Sequence, residues 1–298
     1  MLGEAMALGC AVTWAMGVIL FKRAEIQGSL SPHALNLFKN CLAIVLLSLT
    51  LAVMGRGLDL GRSSVDWLAL LVSGAIGIGM ADTLYFAALR RIGAGPLALS
   101  EMVYSPIVVV LSVTLLDEAF GPTLAIGGLL VLGGVALALW QSQRTVDAKL
   151  ARVSAAGVSL GILAATLMAT GVVLAKPALG RSDLVEATLV RLLGGVVVQL
   201  LWILPRRDRA RILGILRPQR VWRTLMPASV MGAYVAMLLW LGGMKYTDAS
   251  VASVLNQLTV VFTLILARIF LGEHLSGRRM GGAAVAIAGA VIIVLGRA

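Results

Sequence analysis

Apolar residues run along this chain in long blocks separated by short polar connections. Block after block reaches the roughly 17 to 25 residues needed to cross a bilayer core of about 30 Å. A soluble core helix would stop sooner or carry a polar face. Hydropathy and helix breakers together predict ten spans. The first five lie near Ala5 to Phe21, Ala34 to Met54, Trp67 to Leu89, Gly95 to Leu116 and Phe120 to Trp140. A polar linker, Gln141 to Arg152, precedes the second five, near Val153 to Ala175, Leu184 to Leu204, Thr224 to Met244, Ala249 to Leu271 and Met280 to Leu295.

The two sets of five repeat one another. From Trp67 onward a constant separation of 155 residues places Trp222 on Trp67, Gly232 on Gly77, Gly282 on Gly127 and Gly289 on Gly134. Upstream, Gly171 to Lys176 follows Gly17 to Lys22, and Arg191 takes the place of Lys39. Self-similarity over such a period marks a duplicated unit. Five spans per unit send the second copy into the membrane from the opposite side. The expected fold is therefore an all-α membrane protein of ten transmembrane helices in two inverted five-helix repeats, residues 1–143 and 153–298, joined by a linker at 144–152.

Composition narrows the function. Hydrophobic residues make up 59% and charged residues 13%, about half the charged share of a soluble domain. The net charge of +11 would suit a nucleic-acid binder only if Lys and Arg gathered on one folded surface, and here they sit in short connections. No nucleic-acid partner is expected. Cys10 and Cys41 fall within spans and imply neither a disulfide nor a metal site. The N-terminus lacks a basic region followed by a small-residue cleavage site, so the first span is expected to be retained. His33 and His274 fall in predicted connections, and no Cys-x-x-Cys, phosphate loop or Ser-His-acid set is present, so neither an enzyme nor a cofactor is expected.

Several features, in order and repeated, resemble the drug/metabolite transporter superfamily, in particular ten-helix members with two EamA-type domains. They are Leu37-Phe38-Lys39 and Leu189-Val190-Arg191 early in the second helix of each half, Tyr85 to Leu89, Tyr104-Ser105-Pro106, and the Leu116-Asp117-Glu118 and Leu271-Gly272-Glu273 hairpins. The resemblance covers nearly the whole chain. It implies secondary transport, often export, of amino acids or other small metabolites across the cell's inner, cytoplasmic membrane. The second half has Val260-Val261 in place of Ser105-Pro106, so a proline break is expected in the fourth helix and not in the ninth.

Ionisable residues inside spans are the default functional candidates, because an Arg, Lys or Asp at a helix centre costs at least roughly 2.5 to 3.5 kcal/mol. Lys39, Arg191, Arg268, Asp82 and Glu101 fall there. A rise of ~1.5 Å per residue puts Asp82 and Glu101 each about 12 Å, and Lys39 about 8 Å, from the same face. Asn36, Lys39 and Asn40 share one stripe of the second helix, and Tyr85 lies one turn beyond Asp82. In the second half Asn256 replaces Glu101 and Met237 replaces Asp82. Two readings follow: Lys39 orients Asp82 and Glu101, one of which exchanges a proton during transport, or the three form a permanent ion cluster that knits helices together. Trp14 is a candidate cavity wall, while Trp67, Trp140 and Trp222 sit at span ends as interface anchors. Thr166 and Thr170 are expected to bond their own helix, and Glu118 and Glu273 to cap the helices that follow them. Gly127-Gly128, Gly133-Gly134 and Gly281-Gly282 are expected to pack the fifth and tenth helices closely, within a monomer or between the protomers of a homodimer.

The candidate substrate and coupling residues are thus Trp14, Asn36, Lys39, Asn40, Asp82, Tyr85, Glu101, Arg191 and Asn256. The expected partners are a small-molecule substrate, membrane lipids and, if a carboxyl couples, protons. Three functions remain open: export of a small polar metabolite, efflux of lipophilic cations, which requires that Lys39 leave Glu101 unpaired, and a scaffold with a packed centre. Sixteen basic residues lie on the face holding the 1–2, 3–4, 5–6, 7–8 and 9–10 connections and six on the face with both termini. That bias puts the termini outside, whereas the resemblance implies cytoplasmic termini. A topology reporter fused after Ala298 decides between them: cytoplasmic activity supports the resemblance, external activity the charge rule.

Overall fold

The computed structural model describes residues 1–139, 154–271 and 277–296. Trp140, the linker Gln141 to Arg152, the Gly272-Glu273 pair and His274 lie outside the described residues, as does the Arg268 side chain. Among the described residues ten helices are long and apolar enough to span a membrane. In chain order they are α1 (Leu2–Gly28), α2 (Pro32–Val53), α3 (Ser64–Ile92), α4 (Pro96–Leu115) and α5 (Pro122–Leu139), then α6 (Ala155–Arg181), α7 (Leu184–Ile203), α8 (Trp222–Tyr246), α9 (Ala249–Leu266) and α10 (Gly277–Leu295). The described residues include no strand.

Local chemistry sets where these helices start. The Ser31 and Ser63 hydroxyls accept from the N–H groups of Ala34 and Asp66 at 3.2 and 3.1 Å, and Asp183 accepts from Val185 and Glu186. The Ser63 cap begins α3 ahead of Trp67. His33, expected in a connection, lies in the first turn of α2, where its ring meets Trp202 edge-on at 6.5 Å. The 7–8 connection contains a short helix, Arg209–Leu213, whose Ile212 is buried. Apolar side chains such as Val53, Leu68, Leu129 and Leu295 point outward, while Asn36, Lys39, Asn40, Gln199 and Arg191 are fully buried. This is the reverse of a soluble protein and suits a lipid surround.

The repeat extends to the irregularities of the backbone. A π-helical turn interrupts α3 at Ala75–Met80, and a second interrupts α8 at Val230–Val235, 155 residues on. Likewise α4 breaks after Glu101 and α9 after Asn256. Both breaks tighten into i→i−3 bonds, Met102 N–H to the Leu99 carbonyl at 3.2 Å and Gln257 N–H to that of Val254 at 3.1 Å. The expectation of a break in the fourth helix alone is corrected. Pro106 removes the bond to the Met102 carbonyl, but α9 breaks without a proline because the two helices complete one another where they cross. The Ser105 hydroxyl donates to the Ser253 carbonyl at 2.7 Å, and Gln257 Nε2 reaches the Ser105 hydroxyl at 3.3 Å and the Glu101 carbonyl at 3.5 Å. Backbone freed within a membrane must find such partners.

Glycines permit the crossings between halves. A Cβ on Gly17 of α1 would lie 3.0 Å from Gly232 Cα of α8, and one on Gly171 of α6 would lie 3.0 Å from Gly77 Cα of α3. Antiparallel α5 and α10 pack at Gly127 with Gly289 and at Gly134 with Gly282, within a single chain. Only one glycine of each expected pair serves that contact: Gly133 and Gly281 have nothing within 4 Å, and Gly128 faces Val254 at 3.9 Å. A Gly134 Cβ would approach the Ala286 nitrogen to 2.4 Å. Gly134→Leu is therefore expected to cost about 1–3 kcal/mol or more through overpacking, and Gly133→Leu nearly nothing. Thermal unfolding of both variants in detergent checks this, with equal midpoints contradicting the assigned face.

Candidate functional site

The irregular turns of α3 and α8 and the broken segments of α4 and α9 surround one central cavity of about 140 Å³. That is close to the ~150 Å³ of an engineered protein cavity known to bind benzene, so the space suits one small solute. Its walls are largely apolar, with Trp14, Met168, Met237 and Trp240 prominent. Polar residues on it are Asp82, Glu101, Tyr104, Asn256, Gln257 and Thr259. The helical rise places Ala98 of the wall ~3 Å from the start of α4 and Trp240 ~9 Å from the end of α8. The cavity thus reaches toward the face of the 3–4 connection and stops short of the face with the termini.

One polar chain fixes the first half of the site. Lys39 Nζ donates to Asp82 Oδ2 at 2.6 Å and to Asn40 Oδ1 at 2.9 Å. Asn40 donates to Asn36 at 3.1 Å, and Asn36 in turn donates to Thr83 at 3.1 Å and to the Ile78 carbonyl at 3.2 Å. Ile78 belongs to the π turn, so the carbonyl freed by that turn is met by the stripe on α2. All three stripe residues are fully buried behind the cavity, and of this chain Asp82 reaches its wall.

Glu101 departs from expectation. It lines the cavity, yet among the described residues its carboxylate has neither an ion pair nor a hydrogen bond. Lys39 pairs with Asp82 alone, so the expected three-group cluster is corrected to a pair plus an isolated acid. Glu101 sits at the break of α4 and lines the cavity, while Lys39 is taken up by Asp82 and Asn40.

The second half holds the inverse arrangement. Arg191 is fully buried, and among the described residues its Nε, Nη1 and Nη2 have no hydrogen-bond partner. Its guanidinium lies 5.2 Å from the Trp240 ring centroid. It is behind Gly77, whose added Cβ would be 3.5 Å from Nη2. Asn256, the counterpart of Glu101, lines the cavity with both amide atoms unpartnered.

Trp14 lines the cavity as expected, with Tyr85 at 6.4 Å and Phe21 at 6.5 Å between ring centroids. Tyr85 is not on the wall; it packs on Trp14 and Phe86. Its repeat counterpart, Trp240, occupies the wall instead and donates from Nε1 to the Tyr104 hydroxyl at 3.2 Å. Trp240, Tyr104, Gln257 and Cys10 were missed as wall residues. The first was accessible by following the 155-residue repeat from Tyr85. Thr166 and Thr170 bond the Ile162 and Thr166 carbonyls of their own helix, each at 2.9 Å, as expected. Trp67 lies beneath Arg62, and Trp222 donates to the Ile215 carbonyl at 2.9 Å.

Polar contacts between halves concentrate on the face with the termini. Arg62 pairs with Glu186 at 2.9 Å, Arg181 with Asp66 at 2.5 Å and Arg56 with Asp183 at 2.8 Å, while Thr247 donates to Glu4 at 2.8 Å. Glu118 lies 3.5 Å from Lys176 and accepts from the N–H groups of Ala249 and Ser250 at 2.8 and 3.0 Å. It therefore caps α9 of the other half. The expected cap on the following helix, α5, is corrected, because Asp117 adopts a left-handed φ of 53° and the hairpin turns Glu118 across the repeat interface. On the opposite face the described residues offer Thr224 to Gln27 at 2.8 Å.

The profile of the EamA-like transporter family matches residues 1–140 and 155–295. Over 247 residues, 81% of this chain and 77% of the relative, the sequence is 29% identical to Protein PecM of Dickeya dadantii. It is 38% identical over 90 residues to a "Probable terminal-alkyne amino-acid exporter" of Streptantibioticus cattleyicolor, a match spanning 30% of this chain and 27% of that protein. A solved crystal structure aligns over 99% of both chains with a TM-score of 0.74 at 19% identity, so the fold is shared.

The Lys39–Asp82 pair has a measurable consequence. Lys39→Met leaves a buried carboxylate uncompensated and is expected to destabilise the protein by ~3–5 kcal/mol, while Lys39→Met with Asp82→Leu recovers most of the loss. Thermal unfolding of the single and double variants measures this, and a single variant as stable as the parent would contradict the pairing.

Proposed function

The chain belongs to the EamA-like transporter family, a multi-pass membrane transporter, and from that premise we propose that it is a secondary transporter exporting an amino acid or similar small polar metabolite by alternating access. In this proposal residues 1–143 and 153–298 are the two rocking units, in the cytoplasmic membrane. The observation that carries the reading is the cavity at the crossing of the halves, largely apolar but with Asp82 and Glu101 on its wall. Inverted repeats with irregular helices at a central site favour two near-equivalent arrangements that open to opposite faces. The ion pairs on the face with the termini supply one gate, and the cavity's extension toward Ala98 marks the other. The amino acid named for the Streptantibioticus relative supports the substrate class. The cavity also speaks against a scaffold with a packed centre.

Coupling is assigned to Glu101. A carboxyl free of any protein cation can hold a proton when the cavity is empty and release it to the open face when substrate binds. A second reading, efflux of lipophilic cations, draws on the same isolated Glu101, since its condition that Lys39 leave this acid unpaired is met.

Purified protein in liposomes is expected to exchange a labelled amino acid against an unlabelled pool, and to accumulate it when a pH gradient is imposed. Failure to move any amino acid in a broad panel contradicts the reading, and uptake of lipophilic cations in their place supports the second. Glu101→Gln is expected to lose the response to the pH gradient. A gradient response equal to the parent's would remove Glu101 from coupling.

A further inference from the structure

The site brings together four charged side chains, of which Lys39, Asp82 and Arg191 are buried and Glu101 lines the cavity, and each half leaves one of them without an ion-pair partner. In the first half Lys39 is neutralised by Asp82 at 2.6 Å, so the Glu101 carboxylate is the surplus group. In the second half Met237 stands where the first has Asp82, so the Arg191 guanidinium is the surplus group. Among the described residues all three of its nitrogens are without a hydrogen-bond partner, and its exposure is 0%. A buried charge without a partner costs several kcal/mol, and a guanidinium carries a planar fork of donors shaped for a carboxylate. The four charges sum to zero, so a ligand that answers both surplus groups is itself net neutral.

We infer that the ligand is a zwitterion whose two ends are recognised separately: the carboxylate by Arg191, the ammonium by Glu101. The inference rests on the transport reading above and specifies its substrate as a neutral amino acid with a small apolar side chain. Arg191 stands one layer behind the wall at Gly77 and Trp240. Gly77, which lines the cavity, carries no side chain to cover the guanidinium there. Tyr104, on the wall beside Trp240, offers a hydroxyl to the same end of the ligand. Glu101 stands toward the 3–4 connection, with Asn256 and Gln257 also on the wall. Trp14, Met168 and Met237 give the wall an apolar face that suits a small apolar side chain, and a cavity of about 140 Å³ excludes a peptide. Arg191 also weighs against cation efflux, since a lipophilic cation would answer Glu101 and leave the guanidinium bare.

Binding of three probes to the purified full chain tests this, read by quenching of intrinsic tryptophan fluorescence, because Trp14 and Trp240 line the cavity. The probes are L-valine, its methyl ester, which lacks the carboxylate, and isovalerate, which lacks the ammonium. A site built for a polar group rejects the analogue lacking it, so valine is expected to bind at least about tenfold more tightly than either. Arg191→Gln is expected to bring valine and its ester to similar affinity while preserving discrimination against isovalerate. Glu101→Gln is expected to do the reverse, and Arg191→Lys to retain part of the preference over the ester. An ester bound as well as valine by the parent protein, or a valine-to-ester ratio untouched in Arg191→Gln, overturns the inference even where liposome exchange succeeds. Should Arg191→Gln fail to fold, Arg191→Lys and the parent ratios decide alone. If valine neither binds nor exchanges while another solute class is transported, the zwitterion fails and transport stands; if no solute is transported, both fail.

Discussion

An unpaired charge in the low-dielectric centre of this bundle is expensive, and the organisation of the site follows from where pairing is complete and where it is not. Lys39 is held by Asp82 and Asn40, Asn40 by Asn36, and Asn36 by a carbonyl that the π turn of α3 sets free. That chain fixes α2 against α3 with each of its side-chain nitrogens hydrogen-bonded. The same accounting applied to Arg191 and Glu101 finds neither of them answered. Groups that cost this much to leave bare are the ones a ligand most stabilises when it arrives.

The backbone tells a matching story. Irregular backbone at membrane depth is tolerated where it is buried in protein or lines a cavity, and here the π turns of α3 and α8 and the breaks of α4 and α9 meet at one place. Ser105 and Gln257 tie the two broken helices together across the repeat interface. From α3 onward the irregular turns of the two halves match to the residue, while the charges differ. Shared geometry gives the bundle two near-equivalent ways to pack, and unequal charge gives the cavity two different ends.

Much of this was legible in the sequence, for identifiable reasons. Span count, the 155-residue repeat and the placing of Lys39 and Asp82 in the same half of the membrane follow from hydropathy and the helical rise, which are one-dimensional. Azimuth is not. Glu101 lines the cavity and does not meet Lys39, which pairs with Asp82. Tyr85 and its counterpart Trp240 also differ: one packs on Trp14, the other forms the wall. The break in α9 was hidden because its cause, Gln257 reaching α4, is a contact between halves and not a local residue preference. Glu118 was read as a local cap, and caps a helix 131 residues away in sequence.

The contrast between the two faces bears most directly on how the protein works. Ion pairs from Arg62, Arg181 and Arg56 bind the halves on the face with the termini, and Glu118 adds a cap across the same interface. Opening that face means breaking them, with compensating closure near Ala98. Spin labels placed by cysteine substitution at Leu60 and Tyr246 on the first face, and at Ile26 and Leu216 on the other, report both gates, all four positions being exposed. With Cys10 and Cys41 replaced by alanine, double electron–electron resonance is expected to give two distances on each face. Valine or a change of pH should shift the two faces in opposite senses. A single distance on both faces, unchanged by either, would contradict alternating access.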